Sequence, residues 1–146
     1  MRSDGTLWAW GWNGDGQLVD GSAMNRSSPV QIGNANTWAT VAGGASHTVA
    51  VRSDGTLWTW GGNSHGQLGD GSTLGRPGLV QVGSASAWSA LACGRSHTAA
   101  VPSDGTLWSW GFNGNGELGA GIIASQSSPV QVGSASNWAT VACGNS

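Results

Sequence analysis

The chain has 146 residues, a net charge of −2 and only 8% charged residues, against roughly 25% in an average globular protein. Its basic residues are all arginine, scattered singly at Arg2, Arg26, Arg52, Arg76 and Arg95, so the clustered basic face that a nucleic acid partner needs is missing. No apolar run approaches the roughly 18 to 20 residues of a membrane span, and Met1 leads into repeated sequence rather than into a signal peptide.

The first element is "SDGTLWAWG", from Ser3 to Gly11, and it returns at Ser53 and Ser103. Residues 1–50 align with 51–100 without a gap, more than half of the paired positions are identical, and 101–146 continue the register. A fixed period of this size signals a repeat architecture whose units bury their faces against one another. Within a unit the order is plain. Asp54-Gly55 is a hairpin turn signal, and "TLWTW" (Thr56–Trp60) after it is rich in strand formers. A glycine-rich loop follows, then a strand "LVQVG" (Leu79–Gly83) and a strand "WSALACG" (Trp88–Gly94). "HTAAV" (His97–Val101) closes the unit before the next Asp-Gly turn, at Asp104-Gly105.

These strands are apolar or small on both faces, which suits a sheet covered on both sides. Nothing shows a helical 3.6-residue pattern, and glycine supplies 26 residues. The expected fold is therefore all-β, built of four-stranded antiparallel sheets stacked as β-propeller blades. Nine of the ten tryptophans recur at fixed places in the units and would fill the wedges between blades; Trp12 is the exception, facing Gly62 and Phe112 in the other copies. Cys93 and Cys143 also lie one period apart, with Gly43 in the first copy, and read as small buried residues rather than as a disulfide or metal pair.

The stretches "WTWGGNSHGQLGDGS" (Trp58–Ser72) and "LACGRSHTAAV" (Leu91–Val101) resemble the repeat of the regulator of chromosome condensation family, over the whole chain and with wording closest to bacterial copies. That resemblance implies a seven-bladed propeller. It also implies functions as different as nucleotide exchange on a small GTPase, light sensing and inhibition of β-lactamases, so the fold alone names no function. The gapless register leaves no room for the exchange factor's wedge, its basic chromatin loops are absent, and the photoreceptor's Trp-Arg-His-Thr signature is replaced by "GASHT" and "GRSHT". Val19 stands where Gly69 and Gly119 stand, so it is strained, or its loop rearranged, if that backbone needs positive φ.

Catalytic and ligand motifs fare poorly when the copies are compared. His47 and His97 recur at one place in different units, which argues for a structural role, the ring bonded to a neighbouring backbone group, rather than convergence on zinc. Ser46 and His47 are adjacent, so a triad with Asp54 fails on geometry. The loop Gly11–Gly16 imitates a phosphate loop, but no helix follows it. Asn13, Asp15 and Asp20 suggest calcium, yet the third copy offers Asn113, Asn115 and Ala120. Asn25-Arg26-Ser27 matches a glycosylation sequon by pattern only. No metal, cofactor or catalytic residue is implied.

What varies between copies is a set of loop residues: Trp12, Asp15, Met24, Asn25 and Arg26 in the first, His65, Leu74, Arg76 and Arg95 in the second, Phe112, Ile122 and Ile123 in the third. Repeat scaffolds hold the core fixed and let a binding face vary. The reading is thus a non-enzymatic scaffold binding a protein partner through these loops. The alternatives are a secreted enzyme inhibitor of the β-lactamase-blocking type, or a purely structural, self-assembling propeller piece. The chain reads as one repeat domain with units 1–50, 51–100 and 101–146 and eleven strand segments. That is about three blades' worth, below the four or more of a closed ring. It is expected to be a fragment of a larger propeller whose open edges favour homo-oligomers.

Overall fold

The computed structural model describes residues 1–85 and 87–145. The described strands are β1 (Trp8–Gly11), β2 (Arg26–Gln31), β3 (Trp38–Gly43), β4 (His47–Arg52), β5 (Leu57–Gly61), β6 (Arg76–Gln81), β7 (Trp88–Cys93), β8 (His97–Pro102), β9 (Trp108–Gly111) and β10 (Gln126–Gln131). They form a two-stranded sheet β1-β2 and two four-stranded antiparallel sheets, β3-β4-β5-β6 and β7-β8-β9-β10, each a meander in chain order. The all-β blade architecture expected from the sequence is the one observed. Each four-stranded sheet straddles a boundary between the 50-residue units, so the structural blade is offset from the sequence repeat.

Local chemistry explains the hairpins. At each Asp-Gly turn the aspartate Oδ1 accepts from the backbone N–H and the hydroxyl of the threonine two residues on; at Asp54 these bonds are 3.0 and 2.6 Å. The threonine Oγ1 in turn accepts from the indole of the following tryptophan, Trp58, at 2.9 Å. The glycine is required twice over at Gly5: its φ is +80°, and a Cβ there would lie 2.1 Å from the Asn36 carbonyl oxygen.

Two strand expectations are corrected. The strand expected over Leu79–Gly83 runs instead over Arg76–Gln81, because Gly61 pairs with Arg76 and a bulge absorbs the difference. Pro77 is tolerated inside it, as are Pro29 in β2 and Pro129 in β10, because all three strands lie at sheet edges. The segment Trp138–Gly144, expected as an eleventh strand, forms no ladder among the described residues. Its equivalents β3 and β7 are held by β4 and β8, and among the described residues no strand of that kind stands beside it.

The core lies between sheets. At the first joint Leu7 and Ile32 of the two-stranded sheet and its flank meet Trp38, Ala50 and Trp60. At the second, Leu57 and Val82 meet Trp88, Ala100 and Trp110. Each blade therefore presents tryptophans to the blade before it and aliphatic residues to the blade after it. Neighbouring blades approach most closely along β3 and β7, which mark the inner side of the arc.

Candidate functional site: the loop face

Antiparallel pairing places the connections. Gly61 pairs with both His47 and Arg76, and Gly111 with both His97 and Gln126. The long loops 12–25, 62–75 and 112–125 and the short turns 44–46 and 94–96 therefore share one end of the sheets. The Asp-Gly-Thr turns occupy the other end. All twelve variable residues singled out in the sequence fall on the loop end.

The loops are built around a buried asparagine. Asn63 Nδ2 donates to the carbonyls of Ser72 and Leu74, both at 3.0 Å, while its Oδ1 accepts from Leu68 N–H at 3.0 Å. Asn13 and Asn113 are likewise buried and make the corresponding bonds within their own loops. The first two loops are then pinned to the next blade. The Trp60 indole donates to the Gln17 carbonyl at 2.7 Å, and the Trp110 indole to the Gln67 carbonyl at 3.0 Å. A fixed frame thus carries variable side chains.

Arg26 and Arg76, singled out as variable-loop residues, are engaged within their own loops. Arg26 is ion-paired with Asp20, and Arg76 Nε with Asp70 at 2.8 Å. The Ser22 hydroxyl and Arg26 hold the Asp20 carboxyl down to about 2. Burial opposes ionisation of Asp70, but Arg76 and Ser72 outweigh it and its pKa is lowered. In the third loop both partners change together, to Ala120 and Gln126. Asn25 Oδ1 accepts from Asn13 N–H at 2.9 Å. The N–H groups of the first glycine-rich loop are spent in the same way: Asp15 N–H on Gln17 Oε1, Gly16 N–H on the Asn13 carbonyl and Leu18 N–H on Asn13 Oδ1. No helix begins at that loop.

His47 crosses a blade joint. Its Nε2 lies 3.0 Å from Thr98 Oγ1, and that hydroxyl spends its one proton on the Gln67 carbonyl at 2.9 Å. His47 Nε2 must therefore carry the proton, and Nδ1, buried without a partner, is the lone-pair nitrogen. The ring's partner is thus a side-chain hydroxyl of the next blade and not the backbone group expected from the sequence. Burial, with His97 adding to it, lowers the His47 pKa to about 4. Asp54 sits in the Asp-Gly-Thr turn at the far end of β4 from His47. Among the described residues, no three His, Cys, Asp or Glu side chains converge to hold a metal ion.

Three of the singled-out residues come together. His65, Arg95 and Phe112 line a cavity of about 340 Å³ with Ser96, His97, Glu117 and Asn145. The His65 and Phe112 rings meet edge to face at 4.9 Å. The same positions meet at the first joint, where Gly62 is in contact range of Ser46 Oγ and Asp15 Oδ2. Variable positions of one blade thus meet variable positions of the next, a convergence invisible along the chain. Trp12 covers Gly14 and lines a second cavity, of about 330 Å³, with Trp10, Ala45 and His47. Met24, Leu74, Ile122 and Ile123 stand exposed at the loop tips, outside both. Glu117 and Asn145 were not singled out in the sequence, although the copies differ there: Gln17 and Gln67 are the equivalents of Glu117, and Ala45 and Arg95 those of Asn145.

Sheets joined by tryptophan wedges, with a variable loop face at one end, define the class: blades of a β-propeller. The family described as "Regulator of chromosome condensation (RCC1) repeat" matches residues 4–51, 54–101 and 104–146, and a second pattern of that description matches 38–67 and 88–117. The chain belongs to the RCC1 repeat family. Among solved structures it is similar to Prp20p from Saccharomyces cerevisiae, described with its binding to Gsp1p and histones, at 21% identity and TM-score 0.79, covering 92% of this chain and 35% of that one. It is similar to yeast RCC1 (Prp20) bound to Kap60 at 22% identity and TM-score 0.84, covering 99% and 37%. It is also similar to human WBSCR16 at 22% identity and TM-score 0.59, covering 99% and 52%. At these identities the likeness shows the fold, and the chain spans about a third to a half of those chains. The comparison with curated proteins found no match.

Proposed function

We propose that this chain is a non-enzymatic interaction module that binds a protein partner through the loop face. The observation that carries the reading is the meeting of His65, Arg95 and Phe112 across one blade joint, on loops whose frame is held by Asn63, Asn113 and the Trp110 indole. Rigid frames bearing exposed aromatic and arginine side chains supply binding hot spots. The solved relatives fit this reading, since two are described with protein partners. The test is capture from a native extract on the immobilised chain. Trp12→Ser with Phe112→Ser should remove the captured protein, whereas Ser53→Arg with Ser103→Arg on the opposite face should not. Capture that survives the first pair refutes the reading. A β-lactamase whose hydrolysis rate is unchanged by the chain removes the inhibitor alternative.

A second reading, self-association as part of a larger ring, is favoured by one observation. The internal joint is made twice, and the equivalents of both its halves are more open at the two ends of the array. Trp10, equivalent to the buried Trp60 and Trp110, is 61% exposed, and Leu107 and Val132, equivalent to the buried Leu57 and Val82, are only partly buried. Two copies can therefore join head to tail, a heterologous contact, although the alanine that Ala50 and Ala100 add to each internal joint would be lacking. Light scattering at micromolar concentration decides it: a stable particle of 14.7 kDa overturns the self-association.

A further inference from the structure

We infer that the free edge of β1 is a binding groove for one extended strand of a separate polypeptide, with the pattern Ser-His-Thr-Val-Ala. In the two four-stranded sheets the strands equivalent to β1 are paired on both sides: β5 lies between β4 and β6, and β9 between β8 and β10. Among the described residues β1 pairs with β2 alone. The copies show what fits its other side. His47 stands opposite Gly61, Thr48 opposite Trp60, Val49 opposite Thr59 and Ala50 opposite Trp58. His97–Ala100 repeat that register against β9. On β1 the same register faces Gly11, Trp10, Ala9 and Trp8. The groove closes after Trp8, because Met1 and Arg2 take the places of Val51 and Arg52. Arg2 N–H bonds the Thr6 carbonyl at 2.9 Å, as Arg52 N–H bonds that of Thr56 at 3.0 Å.

The edge is already shaped for that strand. Gly61 and Gly111 have φ +100° and +103°, and a Cβ on either would strike the neighbouring chain, 2.4 Å from the Ser46 carbonyl oxygen and 2.5 Å from that of Ser96. Gly11 keeps the same conformation, at φ +110°, yet a Cβ there would meet nothing within 4 Å. The next N–H is open too. Gly62 N–H donates to the Ser46 carbonyl at 2.7 Å and Phe112 N–H to that of Ser96 at 2.8 Å, whereas Trp12 N–H has no such partner among the described residues. Thr48 has a vacant acceptor. Thr98 Oγ1 gives its proton to the Gln67 carbonyl and accepts from His47; Thr48 Oγ1 gives its proton to the Gln17 carbonyl at 3.5 Å, and among the described residues nothing donates to it. A histidine opposite Gly11 would fill that place. The core has room for a valine. The cluster at the second joint holds Val49 and Val51 with Leu57, Val82, Trp88, Ala100 and Trp110; the cluster at the first joint matches it as Leu7, Ile32, Trp38, Ala50 and Trp60, without the two valines. The cavity of about 330 Å³ reaches Ala9, Leu18 and Thr48. Another, of about 470 Å³, is lined by Met1, Arg2, Trp8, Trp10 and Pro29. In such strand addition the ladder supplies affinity and the alternate side chains supply selectivity. A folded second copy cannot donate the strand, since its β4 and β8, which carry this sequence, are already paired on both sides.

The experiment titrates the isotope-labelled chain with an acetylated, amidated peptide Ala-Ser-His-Thr-Val-Ala, the sequence of residues 45–50. The expected result is a saturable shift of the backbone amide signals of Trp8 through Trp12, with slower hydrogen exchange there, while Gln126–Gln131 at the other outer sheet stay unmoved. Alternation from the Gly62–Ser46 bond turns the peptide's threonine and alanine amides toward β1, so N-methylating both should abolish binding. Replacing the peptide's histidine by alanine should weaken binding roughly two- to tenfold, the worth of one hydrogen bond. Thr48→Val should erase that difference between the two peptides. Amides of β1 that stay still at millimolar peptide overturn the proposal. So does binding that survives N-methylation, equal binding of the histidine and alanine peptides, shifts confined to β10, or an edge that a second copy occupies to the exclusion of the peptide.

Discussion

Trp10 and Trp60 stand at the same place in two copies of one repeat, yet Trp10 is 61% exposed and Trp60 is 1% exposed. The difference lies in the neighbour. Trp60 lies against Leu7 and Ile32 of the preceding sheet and donates its indole hydrogen to Gln17; among the described residues no such sheet stands in front of Trp10. The tryptophan is one half of a joint, and its contribution to stability belongs to the pair of blades. The comparison predicts that Trp60→Ala or Trp110→Ala will destabilise by about 3–5 kcal/mol, the usual cost of deleting a buried large aromatic. Denaturant melts that move less than those of Trp10→Ala would break the comparison.

A second contrast between copies sharpens it. Val19 holds φ +48°, in line with the glycines at its equivalents, Gly69 at +73° and Gly119 at +64°. The loop is not rearranged: Val19 N–H bonds the Gly16 carbonyl as Gly69 N–H bonds that of Gly66, both at 3.0 Å. Val19 is therefore strained. At Gly69 the same side chain would collide with the Trp110 indole, whose nitrogen lies 2.7 Å from the position a Cβ would take. Gly69→Val should cost about 3 kcal/mol, combining strain with overpacking. Val19→Gly should change stability by about 1 kcal/mol in the opposite direction, since relief of the left-handed β-branched residue exceeds the contact it loses. Thermal melts of both variants check the signs.

The joint also carries a pH dependence. The folded His47 pKa of about 4 lies below its ordinary 6.5 because the ring is buried, so the unfolded chain binds the proton more readily. Stability is then complete above about pH 6.5 and falls as pH drops toward 4, by on the order of 3 kcal/mol if the shift is realised in full. His97, whose pKa burial also lowers, acts in the same direction. Asp20 and Asp70 titrate lower, below their ordinary 3.8. His47→Leu should flatten the slope between pH 6.5 and 4; an unchanged slope would remove His47 as its source. His47→Ala at neutral pH leaves the Thr98 hydroxyl without its donor and should cost about 1–3 kcal/mol with partner binding intact. The smallest effect belongs to Trp10→Ala, expected within about 0.5 kcal/mol in the isolated chain. A larger loss there would show that something covers Trp10 in solution.

Much of this molecule is written in local sequence. The Asp-Gly-Thr turns, the strands they join and the glycines at positive φ follow from chemistry within a few residues, and the 50-residue period announces stacked, equivalent sheets. The variable positions were legible for the same reason, because copies within one chain can be compared directly. What only the tertiary structure decided is which residues of different copies meet. Stacking sets each residue against the one a full period away, and that register is a property of packed surfaces. It brings His65 to Phe112 and His47 to Thr98, buries Trp60 while leaving Trp10 exposed, and leaves Trp138–Cys143 without the ladder partner that a strand-forming sequence needs.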